Sequence, residues 1–208
     1  MRIAFMGHGK VGGALATNLT RAGHDVVIAD TGRGGPEPGE PAAGMKLVPA
    51  ADAIAGAEVV FLATPFTVSE ALVGTYAGAL SGKVLVDCTN PVGPGVTHGL
   101  ASTRSGSEAL QAQAPEARVV KAFSIYGFEN LADNTYPGTP VRPAMFYCGD
   151  DAEAKATVGR LIADLGWDPL DAGDLKQALH LEHMTLLWVR MVRAGGHSPR
   201  LVWAALRG

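Results

Sequence analysis

Gly7-His8-Gly9-Lys10-Val11-Gly12 places three glycines in the spacing G-x-G-x-x-G, and Asp30 stands eighteen residues past the last of them. The chemistry this spacing serves is diphosphate binding. A first glycine lets the chain turn sharply off a strand, and a second leaves no Cβ where a phosphate must approach the backbone. A third lets a helix pack closely on the strand. Free N–H groups at the helix start, with the helix dipole behind them, hold the anion. An acid at the end of the following strand then accepts hydrogen bonds from a ribose. The pattern predicts a dinucleotide site.

Other reactive side chains are more scattered. His180 and His183 are three apart and share a helical face with Glu182 beside them, but no third residue at suitable spacing completes a metal-ligand set. No metal site is expected, and these groups are read as the floor of a pocket or an interface. Three residues are candidate proton donors: His98 in a glycine-rich loop, where a solvated ring is the commoner state, Tyr126, and His183. Tyr126 has Asn130 where a Tyr-x-x-x-Lys pair would need a lysine, so it is not read as a short-chain dehydrogenase base. Ser102, Ser124 and Cys88 lack the G-x-S-x-G setting of a hydrolase nucleophile. The reading therefore names no assured acid or base.

These residues need a frame that brings them together. Arg2–Met6 reads as a buried strand, the glycine turn follows, and Val11, Leu15, Leu19 and Ala22 recur at helical spacing before a second apolar run ending on Asp30. The Gly- and Pro-rich stretch between Asp30 and Val48 is expected to be a loop. Strands are predicted at 58–63, 83–87, 118–123, 144–148 and 167–170. Helices are predicted at 50–55, 68–80, 107–114 and 152–165, the last capped by an Asp, and a long one at 175–192. Alternating buried strands and helices give an α/β fold: a Rossmann, doubly wound, mostly parallel sheet over residues 1–174, with a small helical extension over 175–208. Met184–Val192 is apolar on nearly every side, which predicts burial, with a second subunit as its cover.

Composition excludes several classes. The chain has 208 residues, 47% hydrophobic and 18% charged, with a formal charge of −3. That suits a packed globular protein and gives no basic patch for nucleic acid or an anionic membrane. No stretch is long enough to span a bilayer. Met1 runs directly into a core strand, and Cys88 and Cys148 lack metal spacing, so a cytoplasmic protein with reduced cysteines is expected.

Taken together, RIAFMGHGKVGGAL, LATPF, VDCTNPV, RVVKAFSIYGFENLAD, FYCGDD, PLDAGDL and LEHMTLLWV resemble the deazaflavin-dependent NADP oxidoreductases, the reductases of coenzyme F420, with the cytosolic domains of the STEAP metalloreductases as relatives. The resemblance covers essentially the whole chain. It implies a homodimer, a nicotinamide over the carboxyl ends of the sheet, and hydride transfer between two ring carbons. By position it implies that Gly7, His8, Gly9, Lys10, Val11 and Gly12 hold the pyrophosphate. Thr64, Pro65 and Phe66 would line the dinucleotide, Asn90 and Pro91 would lie near the nicotinamide ribose, and Ala122, Phe123 and Ser124 would back the ring.

Two positions depart from that family pattern. Asp30, Thr31, Gly32 and Arg33 stand where relatives carry Ser/Asn and Arg side chains for a 2′-phosphate. A carboxylate favours the ribose hydroxyl of NAD, whereas Thr31 and Arg33 can serve NADP. The expectation is binding of both, with NADP slightly ahead. Ser124 replaces an Asn common among relatives. The leading functional reading is an NAD(P)-dependent oxidoreductase with a deazaflavin or flavin partner. The alternatives are a reductase of a small carbonyl or imine substrate, with His98, Tyr126 or His183 as donor, and a non-catalytic dinucleotide sensor.

Overall fold

The computed structural model describes residues 1–32 and 45–207. Its strands are β1 (Arg2–Met6), β2 (Asp25–Asp30), β3 (Lys46–Pro49), β4 (Val59–Leu62), β5 (Val84–Asp87), β6 (Val92–Gly93), β7 (Thr97–His98), β8 (Arg118–Lys121), β9 (Ala144–Gly149) and β10 (Asp168–Asp171). Its helices are α1 (Lys10–Arg21), α2 (Ala50–Gly56), α3 (Phe66–Thr75), α4 (Ala77–Leu80), α5 (Gly106–Gln113), α6 (Phe128–Ala132), α7 (Ala152–Asp164) and α8 (Ala178–Val189).

Eight strands form one sheet in the order β10-β9-β8-β5-β4-β1-β2-β3. The six strands from β8 to β3 are parallel; β9 runs antiparallel to β8 and parallel to β10. Strands of a parallel sheet are covered on both faces, which is why Ile3–Met6 of β1, the whole of β4 and Val84–Val86 of β5 read as apolar runs. Alternate residues feed two cores. Phe5, Phe61 and Val86 pack with Leu15 and Leu19 of α1, Leu161 of α7 and Trp188 of α8. Ala4, Met6 and Leu85 pack with Ile54 of α2, Leu72 of α3 and Leu110 of α5. Chain order reverses between β1 and β4, so the crevice outside their carboxyl ends is the switch point where such sheets bind ligands.

The structure differs from the sequence expectations in five places. Lys46 and Leu47, read as the end of a loop, join Val48 and Pro49 in β3 at the sheet edge beside β2. The helix expected over 68–80 breaks at Tyr76 into α3 and α4. The loop after Asn90-Pro91 contains the hairpin β6–β7, and the short helix α6 was not anticipated. The expected helix over 175–192 is a 3-10 turn, α8, and a π turn at Arg190–Ala194.

That last segment is also covered differently from the reading of its sequence. Leu181, Glu182, Thr185, Trp188 and Val192 are buried against the chain's own sheet, while His180, His183 and Leu187 are exposed. One face of α8 thus needs no second subunit to cover it. The tail beyond α8 locks back as well: Trp188 Nε1 donates to the Leu201 carbonyl at 2.8 Å, and the Ala144 amide donates to the Trp203 carbonyl at 2.8 Å. Helix ends follow the sequence closely. Ser105 and Glu108 form a reciprocal capping box at the start of α5, and Asp151 caps α7 through the Ala154 amide.

Candidate functional site

The glycine turn joins β1 to α1, and its three glycines are required for different reasons. Gly7 has φ +100°, and a Cβ there would lie 2.7 Å from the Ala63 carbonyl oxygen. A Cβ on Gly12 would run into the Gly7 carbonyl oxygen. Gly9 has an ordinary φ of −64°, and a Cβ there would meet nothing within 4 Å. The fold therefore demands glycine at 7 and 12 but not at 9. Open space over a glycine that the chain itself does not need suits a group arriving from outside. Gly9 is also the N-cap of α1, which no side chain among the described residues caps, so the opening N–H groups of the helix lie beside that space. These features fit a dinucleotide pyrophosphate.

The neighbouring side chains have settled positions. His8 and Val11 are half-buried, and Lys10 is exposed with its Nζ 5.0 Å above the Phe128 ring. Asp30 is exposed at the end of β2, and its Oδ1 accepts from the Gly32 amide at 2.9 Å. Thr31 is half-buried, and Arg33 lies outside the described residues.

The remaining residues expected to line a cofactor gather at the carboxyl edge of the sheet. Thr64 follows β4 and bonds Ser69 Oγ at 2.9 Å; exposed Pro65 and half-buried Phe66 start α3. Pro91 is buried. Asn90 follows β5 and Ser124 follows β8, and the two meet: Asn90 Nδ2 donates to the Ser124 carbonyl at 2.9 Å. Thr185 of α8 holds both, with its Oγ 3.0 Å from Asn90 Oδ1 and 3.1 Å from the Ser124 carbonyl. Between Ala122 and Ser124, both buried, Phe123 adopts φ +56°, a left-handed conformation that costs a bulky residue about 1–3 kcal/mol. Its ring is held by Phe61 at 5.8 Å. The Ser124 hydroxyl is buried with no partner among the described residues.

Directly behind this segment lies a cluster that reading the sequence did not identify. Lys121 at the end of β8 is fully buried, and its Nζ donates to Asp87 Oδ2 at 3.0 Å, Glu182 Oε1 at 3.0 Å and the Thr89 carbonyl at 2.5 Å. Burial opposes its charge, but the two carboxylates prevail and raise its pKa above the ordinary lysine value. Asp87, also buried, accepts from the Thr89 amide and hydroxyl and from Ser107 Oγ at 2.6 Å. Glu182 accepts from the Gly106 amide at 2.9 Å and from His98 Nε2 at 2.8 Å. The cluster thus fixes α8 to the ends of β5 and β8. One signal was available in the sequence: Asp87 and Lys121 sit inside otherwise apolar strand runs, VLVD and RVVKAF, where a charge must find a partner.

Of the three candidate proton donors, two are occupied elsewhere. His98 is buried, not solvated. Its Nδ1 accepts from the Leu100 and Ser102 amides, both at 3.2 Å, so its proton sits on Nε2 and points at Glu182. The Tyr126 hydroxyl donates to the Ala144 carbonyl at 2.8 Å and accepts from the Trp203 amide at 3.0 Å; burial pushes its pKa up. It ties the tail to β9. His183 is exposed, 2.9 Å from Ser102 Oγ, with its ring edge-on to His98 at 5.5 Å. His180 is also exposed on α8.

Comparison with known proteins agrees with this geometry. Residues 2–91 match the family model described as NADP oxidoreductase coenzyme F420-dependent. A crystal structure from Arthrobacter sp. FB24, provisionally named an F420-dependent NADP reductase, is 32% identical, covers 96% of each chain and superposes with a TM-score of 0.81. A hypothetical protein from Sinorhizobium meliloti is 30% identical over 86% of this chain and 88% of its own, with a TM-score of 0.73. The Metalloreductase STEAP3 of Rattus norvegicus is 30% identical over 89% of this chain, which spans 36% of that protein's length. A full-length relative at this identity, together with the turn, the sheet order and the family match, shows that the chain belongs to the coenzyme F420-dependent NADP oxidoreductase family.

Proposed function

We propose that this protein transfers a hydride between a nicotinamide dinucleotide and a deazaflavin or flavin-like ring. The single observation that carries the choice of partner is the state of the acid–base groups at the carboxyl edge. Among the described residues, the His98 proton is given to Glu182, the Lys121 protons to Asp87, Glu182 and Thr89, and the Tyr126 proton to Ala144. Reduction of a carbonyl or imine calls for a placed proton donor. Exchange of a hydride between two stacked rings calls for alignment and exclusion of water. The alternative carbonyl or imine reading rests on His183, the one candidate donor with a solvent-facing ring.

In this reading the open ground at Gly9 and the start of α1 receives the pyrophosphate, with His8, Lys10 and Val11 around it. Asp30 and Thr31 stand beside the adenosine ribose. Thr64, Pro65 and Phe66 line the crevice, and Asn90, Pro91 and Ala122–Ser124 position the nicotinamide. The nicotinamide supplies a hydride-donating or hydride-accepting carbon, and the protein's part is to hold the two rings at reacting distance. NADP is placed slightly ahead of NAD on the strength of the family. A homodimer across the exposed face of α8 and a cytoplasmic setting belong to the same reading. Its support is Leu187, 51% exposed on α8, and two buried free cysteines. No helix among the described residues is long and apolar enough to cross a membrane.

The test is anaerobic oxidation of reduced NADP with a deazaflavin, a flavin and a panel of carbonyl and imine compounds. Turnover with a ring acceptor and none with the panel is expected. Binding without turnover of any acceptor would make the protein a dinucleotide sensor.

A further inference from the structure

The cluster behind Asn90 and Ser124 contains two carboxylates and one ammonium. Every described contact to Asp87 and Glu182 is a donor, as ionised carboxylates require. Lys121 keeps its proton between them. His98 adds no positive charge, because two backbone N–H groups occupy its Nδ1. Nearby ionisable groups do not restore the balance. The Cys88 and Cys148 thiols are pushed up by burial and stay neutral. Glu108 is turned into the Ser105 capping box, Arg104 and Glu70 pair at 3.8 Å on the exposed rim, and His183 faces solvent. One net negative charge therefore remains in a region from which the packing excludes water, where it is weakly screened.

Each charged member adjoins a segment assigned above to the nicotinamide end. Asp87 precedes Thr89 and Asn90, and Lys121 precedes Ala122–Ser124. Glu182 lies one helical turn before Thr185, which bonds both Asn90 and Ser124. We propose that the Asp87–Lys121–Glu182 cluster selects the oxidation state of the bound nicotinamide. Its excess negative charge favours the cationic oxidised ring over the neutral reduced ring. A cluster that served only to fasten α8 would affect both forms alike. This inference rests on the nicotinamide reading of the site.

The experiment is calorimetric titration of the full chain with oxidised and reduced NADP, for the wild type, Glu182→Gln and Asp87→Asn. The two variants remove one negative charge from different elements, α8 and β5. In both, the affinity ratio is expected to move toward the reduced form by about three- to tenfold. Ser107→Ala removes a neutral donor to Asp87 and should leave the ratio in place. A ratio unchanged in the charge variants, with both affinities falling together, overturns the proposal and leaves the cluster a fastening alone. Should neither charge variant fold, the wild type decides, since tighter binding of reduced than of oxidised NADP overturns it. Failure of the folded wild type to bind either form would remove the nicotinamide reading itself, a separate result.

Discussion

The glycine turn, after β1, and the cluster under α8, at the ends of β5 and β8, lie along the same sheet edge and are built on opposite principles. The turn is made from backbone and from missing side chains: space over Gly9, a left-handed Gly7, and a helix pressed onto it through Gly12. The cluster is made from charged side chains that leave no space, with Lys121 of β8 fully buried between Asp87 of β5 and Glu182 of α8. One binds by staying open and the other by being closed. The same kind of substitution should therefore harm them differently. At Gly9 it should cost ligand and spare the fold; in the cluster it should cost the fold first.

The largest effect is expected at the turn. Gly9→Val fills the open space proposed for the pyrophosphate and should weaken dinucleotide binding at least roughly a hundredfold while thermal stability stays near wild type. Gly12→Ala presses on the Gly7 carbonyl and should lower stability as well. Calorimetry and thermal melts of the pair read this contrast directly. Equal losses of stability would erase the distinction between a glycine kept for ligand and one kept for packing.

Next comes Lys121→Met, which leaves two buried carboxylates without their cation. Breaking a buried ion pair from one side costs about 3–5 kcal/mol, so denaturant unfolding should show a stability loss of that size. The same lysine predicts an alkaline limit. Its folded pKa is raised, so its contribution is complete below the ordinary lysine value and is lost as pH climbs past the folded one. Tyr126 acts in the same direction, because the unfolded chain releases its phenolic proton before the folded chain does. Stability should hold through neutral pH and fall above about pH 10. A fall that begins near neutrality would contradict both assignments.

The same contrast between open and closed ground decides what the sequence made legible. The turn lies within six consecutive residues, and its strand–turn–helix setting identified it at once. The cluster joins positions 87, 121 and 182, and only the pairing of β5 with β8 and the packing of α8 bring them together. His98 shows the cost of reading a loop locally. Its glycine-rich surroundings suggested a solvated ring, yet two backbone amides and Glu182 enclose it. Strand β3 is not legible because its four edge residues, none of them buried, carry little periodicity. Helix α8 misled in another way, since an apolar sequence on all sides does not say which face its own chain covers.

That point gives a smaller prediction, for two adjacent residues of α8. Trp188 is buried in the monomer, so Trp188→Glu should unfold the protein. Leu187 is exposed, so Leu187→Glu should leave the monomer folded and dissociate a dimer seen by light scattering. A wild type that is monomeric at micromolar concentration would remove the proposed interface. The smallest effect is expected at Asp30. Asp30→Ala should weaken NAD and improve NADP by up to about tenfold if Asp30 stands at the ribose as proposed, since a ribose acceptor and a charge facing a 2′-phosphate are then lost. Its bond to the Gly32 amide is lost too, so a melt should accompany the titration.

The most direct test of the central claim, that this edge aligns two rings and supplies no proton, is the oxidation of reduced NADP by a deazaflavin followed across pH in the wild type and in His183→Ala. The account predicts turnover with the ring acceptor, no turnover with carbonyl or imine compounds, and no loss of rate on removing His183. Turnover confined to a carbonyl or imine, abolished in His183→Ala, would contradict it and make the exposed histidine of α8 the acid of a different reductase.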